Sequence, residues 1–244
     1  MGNEALFRDK KVWRAIFSLA IPAVITVLIM VIYHMADLFF IGLMGDDTQV
    51  AAISIVSPVF SLASAIGSML GAGGCAVIAK LFGARQEDDA RSVGSLCIWG
   101  SLIFGILFAL VLIPAASPVL RLLGATEDMY EYSRIYLQIL ALGAPAMLFS
   151  TTIASVVRAE GAVIPGMVAN VAGTVTNLIL DPLFILVMGM GVAGAALATV
   201  LGNLVASILL VITIQTKTRI LTFSLKPALR NPKLLLHTMA VRLP

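Results

Sequence analysis

The chain has 244 residues, 60% of them hydrophobic and only 12% charged, with a formal net charge of +3 and a mean hydropathy of +1.04. That composition excludes an ordinary soluble domain and marks an integral membrane protein. The apolar stretches are long enough to cross ~30 Å of hydrocarbon as helices, and none shows the two-residue alternation of a transmembrane β-barrel.

Six spans are predicted in chain order. Residues 1–14 form a cytoplasmic N-terminal segment with Arg8, Lys10, Lys11 and Arg14. The first span, Ala15 to Met44, carries Tyr33, His34 and Asp37. It is too long and too interrupted for a cleavable signal peptide and is expected to stay as a helix. The second, Val50 to Ala79, has small residues every four positions, Ala63, Gly67 and Gly71, and is followed by the short charged turn "LFGARQEDD". The third is Ser92 to Ile113 and the fourth Tyr130 to Val157, with Arg158 directly after it. The fifth, Pro165 to Met188, carries Asn170, Thr174, Asn177 and Asp181, and Pro182 withdraws the amide that would have bonded the Leu178 carbonyl. A tight turn, "GMGVAG", leads to the sixth, Val192 to Thr216, with Thr199 and a second small-residue stripe at Gly194, Ala198, Gly202 and Ala206. Such stripes let helix backbones approach closely. Cys75 and Cys97 lie within apolar stretches without metal-type spacing and are read as packing residues.

The fold class is therefore all-α, a polytopic transmembrane bundle. Six spans put both ends on one side, and thirteen of the sixteen Lys and Arg residues flank the spans on that side. The opposite loops hold Arg121 and Arg134 among Asp46, Asp47, Glu127, Asp128 and Glu131. The positive-inside rule then places both termini in the cytoplasm of a multi-pass cell (inner) membrane protein. The same rule explains a pI near 9.0 without any nucleic-acid partner.

Of thirteen acidic residues only Asp37 and Asp181 fall deep within spans, Glu131 standing at the very start of the fourth. A charge at bilayer depth costs ~2.5 to ~10 kcal/mol, and no Lys or Arg lies deep in a span to neutralise either. Each precedes the outer end of its span by about seven residues, roughly 10 Å, and Thr199 enters the sixth span by a similar depth. Three helices thus bring polar groups to one level. Helical spacing adds Tyr33 one turn before Asp37, and Asn177, Thr174 and Asn170 along the stripe of Asp181. Carboxylates, an amide oxygen and a hydroxyl make an all-oxygen environment suited to Na⁺ or a transferable proton. Interhelical hydrogen bonding is the competing reading for Asn170 and Thr174, and a structural role for His34.

The stretches "LAIPAVITVLIMVIYHMADLFFIGLMG" (19–45), "FGARQEDDAR", "VVRAEG" and "NLILDPLFILVMGMGVAGAALAT" (177–199) resemble the multidrug and toxic compound extrusion (MATE) transporters across nearly the whole chain. The resemblance implies antiport, in which Na⁺ or H⁺ enters down its gradient while an amphipathic, cationic drug-like molecule leaves; no cofactor is implied. It also implies that Asp37, Asn177, Asp181 and Thr199 line a cation site, with Tyr33 nearby. Members of that family have twelve spans in two lobes, so residues 15–216 correspond to one six-helix lobe. Residues 217–244 are then expected to be a cytoplasmic linker and the truncated start of a second lobe, since "HTMAVRLP" weakly echoes "IFSLAIP". The partners implied are the lipid bilayer, the exported molecule, and a missing C-terminal lobe or a second copy. Competing readings are a non-transporting lobe or assembly subunit, and a flippase for lipid-linked saccharides, which would need cationic groups in its cavity. An enzyme is not expected, because no nucleophile, metal set or phosphate loop appears.

Overall fold

The computed structural model describes residues 24, 28, 31, 35, 39–43, 45–218 and 221–224. Asp37, Tyr33 and His34 lie outside them. The described residues are helical with no strand: α1 (Asp47–Gly83), α2 (Glu87–Leu112), α3 (Ala116–Leu122), α4 (Glu127–Ala159), α5 (Val163–Pro182), a π-helical turn (Leu183–Val187) and α6 (Val192–Lys217). All but α3 are long and apolar enough to cross a membrane, the π turn serving as the continuation of α5. They match the second to sixth predicted spans, with charged flanks added. Helix α2, for example, begins at Glu87 rather than Ser92, because Glu87, Asp88 and Asp89 in its first turn suit the positive end of the helix dipole. Short α3 forms where only a connection was expected.

Helix α4 is the axis. It packs against α1, α2, α5 and α6, and its apolar stretch is 67% buried, against 22% for α5 with its continuation. Close approach follows from small residues. A Cβ at Gly71 would lie 2.9 Å from the Thr152 carbonyl oxygen of α4, and one at Gly105 of α2 would lie 2.5 Å from Pro145 Cα. Side-chain bonds then stitch the helices to each other's carbonyls: Thr152 Oγ1 donates to Gly67 (3.0 Å) and Ser207 Oγ to Ala146 (2.9 Å). The outer surface is apolar in helical stripes, as at Ile164, Val168, Val175 and Ile179 of α5 and Val24, Leu28, Val31, Met35 and Phe39 near the start of the chain. Such stripes are what lipid, not water, would cover. Cys97 is buried and Cys75 half-buried, both free.

The bundle has two distinct ends. At one, which carries Lys80, Arg85, Arg91, Arg158 and Lys217 and is called the basic end below, the segment Leu221–Ser224 lies across the helix ends as a strap. Leu221 N–H donates to Glu160 Oε1 (2.9 Å) and Trp99 Nε1 to the Phe223 carbonyl (3.1 Å). Leu221 is buried over Gly94, where a Cβ would stand 2.6 Å from Leu221 Cδ2. At the opposite end Asp46 caps α1, accepting from Thr48 N (3.1 Å), from the Thr48 hydroxyl and from Gln49 Nε2 (3.0 Å). Gln49 Oε1 in turn accepts from Val192 N (3.0 Å). Gly191 has φ 54° and ψ −132° and passes so close to Gln49 that a Cβ would meet its Oε1 at 2.2 Å. This clasp joins the start of α1 to the turn before α6.

Candidate functional site

The site begins with two glycines. Where α5 crosses α6, a Cβ on Gly173 would lie 2.6 Å from the Gly202 carbonyl oxygen and one on Gly202 would lie 2.6 Å from that of Gly173. The backbones touch because neither residue has a side chain. One turn on from Gly173 stands Asn177, and one turn before Gly202 stands Thr199, so the crossing itself brings them face to face.

Asn177 Nδ2 donates to Thr199 Oγ1 at 3.4 Å and to Asp181 Oδ1, four residues along its own helix, at 3.3 Å. Both bonds are long, near the outer limit for N–H···O. All three residues are almost wholly buried: Asp181 is 0% exposed, Asn177 2% and Thr199 2%. With both contacts made through the amide nitrogen, Asn177 Oδ1 is left buried and accepts no hydrogen bond among the described residues. It is an oxygen acceptor placed beside a carboxylate and a hydroxyl. Immediately beyond Asp181, Pro182 ends the α-helical ladder, and the chain continues as a π turn in which Met188 N bonds the Leu183 carbonyl at 2.9 Å. A π turn inside a membrane helix widens the spacing of backbone bonds and is common beside functional residues. The sequence pattern places one span over residues 165–188 with a backbone bond withdrawn at Pro182; what the structure adds is the π turn that follows that proline.

A second layer was not expected from the sequence. Asn203, one turn after Thr199, donates from Nδ2 to the Thr199 carbonyl (2.9 Å), and its Oδ1 accepts from Ser150 Oγ of α4 (3.0 Å). A continuous polar chain therefore runs from Asp181 on α5 through Asn177, Thr199 and Asn203 on α6 to Ser150 on the central helix. The signal for Asn203 was its i+4 spacing from Thr199; Ser150, within "FSTTIAS", carried none.

Next to this chain a cavity of about 340 Å³ opens between α1, α4, α5 and α6. Asn170, Thr174 and Asn177 all line it, so the stripe expected on α5 does face one space. Asp181 is not among the lining residues; Asn177, which bonds both Asp181 and Thr199, and Thr199 are. Ser64 and Ser68 of α1 and Thr151, Ser155 and Arg158 of α4 complete the polar wall. The structure thus brings Asn177, Asp181 and Thr199 together and places Asn170 and Thr174 beside them, while Asp37 and Tyr33 remain outside the described residues.

Comparison with known proteins supplies the context. The MatE family model matches residues 22–183. A multidrug export protein, MepA, from Staphylococcus saprophyticus is 32% identical over the full chain, which covers 54% of that protein. Its namesake from Staphylococcus aureus is 29% identical with the same coverage. Among solved structures, a MOP superfamily transporter from Pyrococcus furiosus superposes with a TM-score of 0.86 at 30% identity, over 93% of this chain and 50% of that one. An outward-facing multidrug resistance MATE transporter superposes with a TM-score of 0.84 at 29% identity, over 92% and 50%. The chain spans about half the length of the relatives it matches.

Proposed function

The chain belongs to the MatE family, and from that premise we propose that it is the cation-site lobe of a secondary transporter. In this reading Na⁺ or H⁺ moving down its gradient drives export of amphipathic, cationic drug-like compounds. The observation that carries it is the buried Asn177–Asp181–Thr199 junction at the head of a polar cavity. A carboxylate at that depth is costly to maintain, and a coupling role explains its retention: Asp181 is neutral when loaded and ionised when the site is open to water. Asn177 Oδ1 and Thr199 Oγ1 supply neutral oxygens of the kind Na⁺ takes, and Asp37 is assigned to the same site on the sequence pattern. The loose 3.3 and 3.4 Å bonds suit a site whose amide must turn its oxygen toward an incoming ion.

The proposed orientation puts the basic end and both termini in the cytoplasm of the cell (inner) membrane. The remainder of the pathway is assigned to a second six-helix lobe or to another copy of this one. Asp181→Asn is the test. In the chain joined to a second lobe, the variant is expected to be recovered folded, because an amide is cheaper to bury than a carboxylate, and to lose gradient-driven dye efflux. Full efflux, or loss of folding as the only effect, would show that Asp181 is structural. Imposing Na⁺ and H⁺ gradients separately on the parent identifies the coupling ion.

A further inference from the structure

Each polar residue assigned to the site has an apolar residue one turn nearer the clasp at Gln49. On α5 the buried positions recur every fourth residue, Gly173, Asn177, Asp181 and then Ile185 of the π turn. On α6, which runs away from the clasp, Ala195 stands one turn before Thr199; in the sequence, Ile41 follows Asp37 by four residues. Ile41, Ile185 and Ala195 are all 0% exposed. They belong to one packed cluster with Ile53 and Val56 of α1 and Val192 of α6, in which Tyr136 is the only buried described member with a polar side chain. Backbone packing closes the same end. A Cβ on Gly194 would lie 2.9 Å from the Phe184 carbonyl carbon, so the π turn rests directly on the start of α6. With the Gly173–Gly202 crossing on the other side, Asn177, Asp181 and Thr199 lie between two places where the helices touch. Toward the cavity the surroundings reverse: Asn177 and Thr199 line it together with Asn170, Thr174 and Asn203. An ion or a chain of waters needs polar partners along its path, and aliphatic side chains offer none.

We propose that Ile41, Ile185 and Ala195 form an apolar seal at the clasp end of the cation site, which leaves the ion one way to Asp181, from the cavity. The π turn is part of the device, since it carries Ile185 at full burial beyond Pro182. The seal deepens the coupling reading: a cation that has reached Asp181 cannot pass on through the lobe, so its movement has to go with movement of the cavity. It rests on that reading for the identity of what is excluded, but not for the exclusion itself.

Access is read by thiol labelling of the full chain in detergent, with Cys75 and Cys97 replaced by Ala and a trimethylammonium methanethiosulfonate as the probe. Ala195→Cys is expected to react about tenfold or more slowly than Glu127→Cys at the exposed start of α4, as befits a group reached only by local opening. Adding Ile185→Thr or Ile41→Thr, which puts a hydroxyl into the cluster, is expected to raise its rate several-fold. Ile98→Thr, made in the separate cluster at the basic end, is expected to leave it unchanged. Val192→Cys, close to the parent side chain in volume, replaces Ala195→Cys should that variant not fold. Labelling of the cysteine as fast as Glu127→Cys in the otherwise parent chain overturns the seal. So does slow labelling that neither threonine alters, and so does equal acceleration by Ile98→Thr, which would report general loosening. Each of these outcomes leaves the ion site to its own test in Asp181→Asn, so the seal and the coupling can fail separately.

Discussion

Asn203 illustrates how a residue without contact to Asp181 can govern it. Its amide spans two helices, fixing the Thr199 carbonyl on one side and Ser150 on the other. Replacing it with Leu removes both bonds. Interhelical hydrogen bonds in membranes contribute about 0.6 kcal/mol on average, so Asn203→Leu is expected to fold with a modest loss of stability. Its distinctive effect is expected at the proposed site: where Na⁺ is the coupling ion, it should protect Asp181 from carbodiimide modification less well than in the parent. Protection equal to the parent would make Asn203 a packing residue only. Gly202 is more demanding, since an added Cβ would stand 3.0 Å from Asn177 Cβ as well as 2.6 Å from the Gly173 carbonyl. Gly202→Ala is expected to cost about 1–3 kcal/mol through overpacking, and to abolish Na⁺ protection of Asp181 by parting Asn177 from Thr199. The coincidence of Asn177, Asp181 and Thr199 was legible because depth in a helix is counted by residue number. Asn203 and Ser150 were not, because an isolated Asn or Ser in an apolar helix has the same pattern whether it bonds its own backbone or a neighbour's.

At the scale of elements, the second to sixth spans were legible from hydropathy, the first lying largely outside the described residues, whereas the devices at their ends were not. The π turn, α3, the clasp at Gln49 and the strap depend on contacts between segments far apart in sequence, or on how one proline redirects a backbone, and periodicity records neither. The clasp is testable. Gly191 lies at positive φ, and a Cβ there would strike Gln49 Oε1, so Gly191→Ala is expected to destabilise the turn before α6 by roughly 1–3 kcal/mol. Hydrogen exchange should quicken at residues 45–50 and 189–194 while α4 is unchanged. Asp46 adds a pH dependence. Its carboxyl is held below its ordinary value of 3.8, chiefly by the Thr48 hydroxyl and then by Gln49. A group whose folded pKa is lowered contributes above its unfolded value and ceases to contribute as pH falls through the folded one. The clasp is therefore expected to be intact at neutral pH and to loosen only in acid below the ordinary carboxylate range. Asp46→Asn should remove that dependence.

For the whole molecule, orientation and competence can be checked directly. Single cysteines replacing Asp46 and Met190 are expected to be labelled from outside intact cells, and one replacing Gln86 is not; labelling at Gln86 would invert the orientation. Cells making this chain alone are expected to show no more dye efflux than cells making its Asp181→Asn variant, with efflux appearing once a second lobe is joined. Efflux by the chain alone would point to a pair of copies. The strap bears on a different matter, the order in which the bundle is made. Leu221 closes a hollow over Gly94 of α2, and the Trp99 indole of that same helix holds Phe223, so a helix synthesised early waits for a segment translated only after α6. Until then the hollow lies open and the Trp99 donor must find another acceptor. Biogenesis of this bundle therefore has a closing step: a nascent chain halted after Lys217 would hold its membrane helices yet expose the base of α2, a mark by which quality-control proteases could tell an unfinished lobe from a finished one.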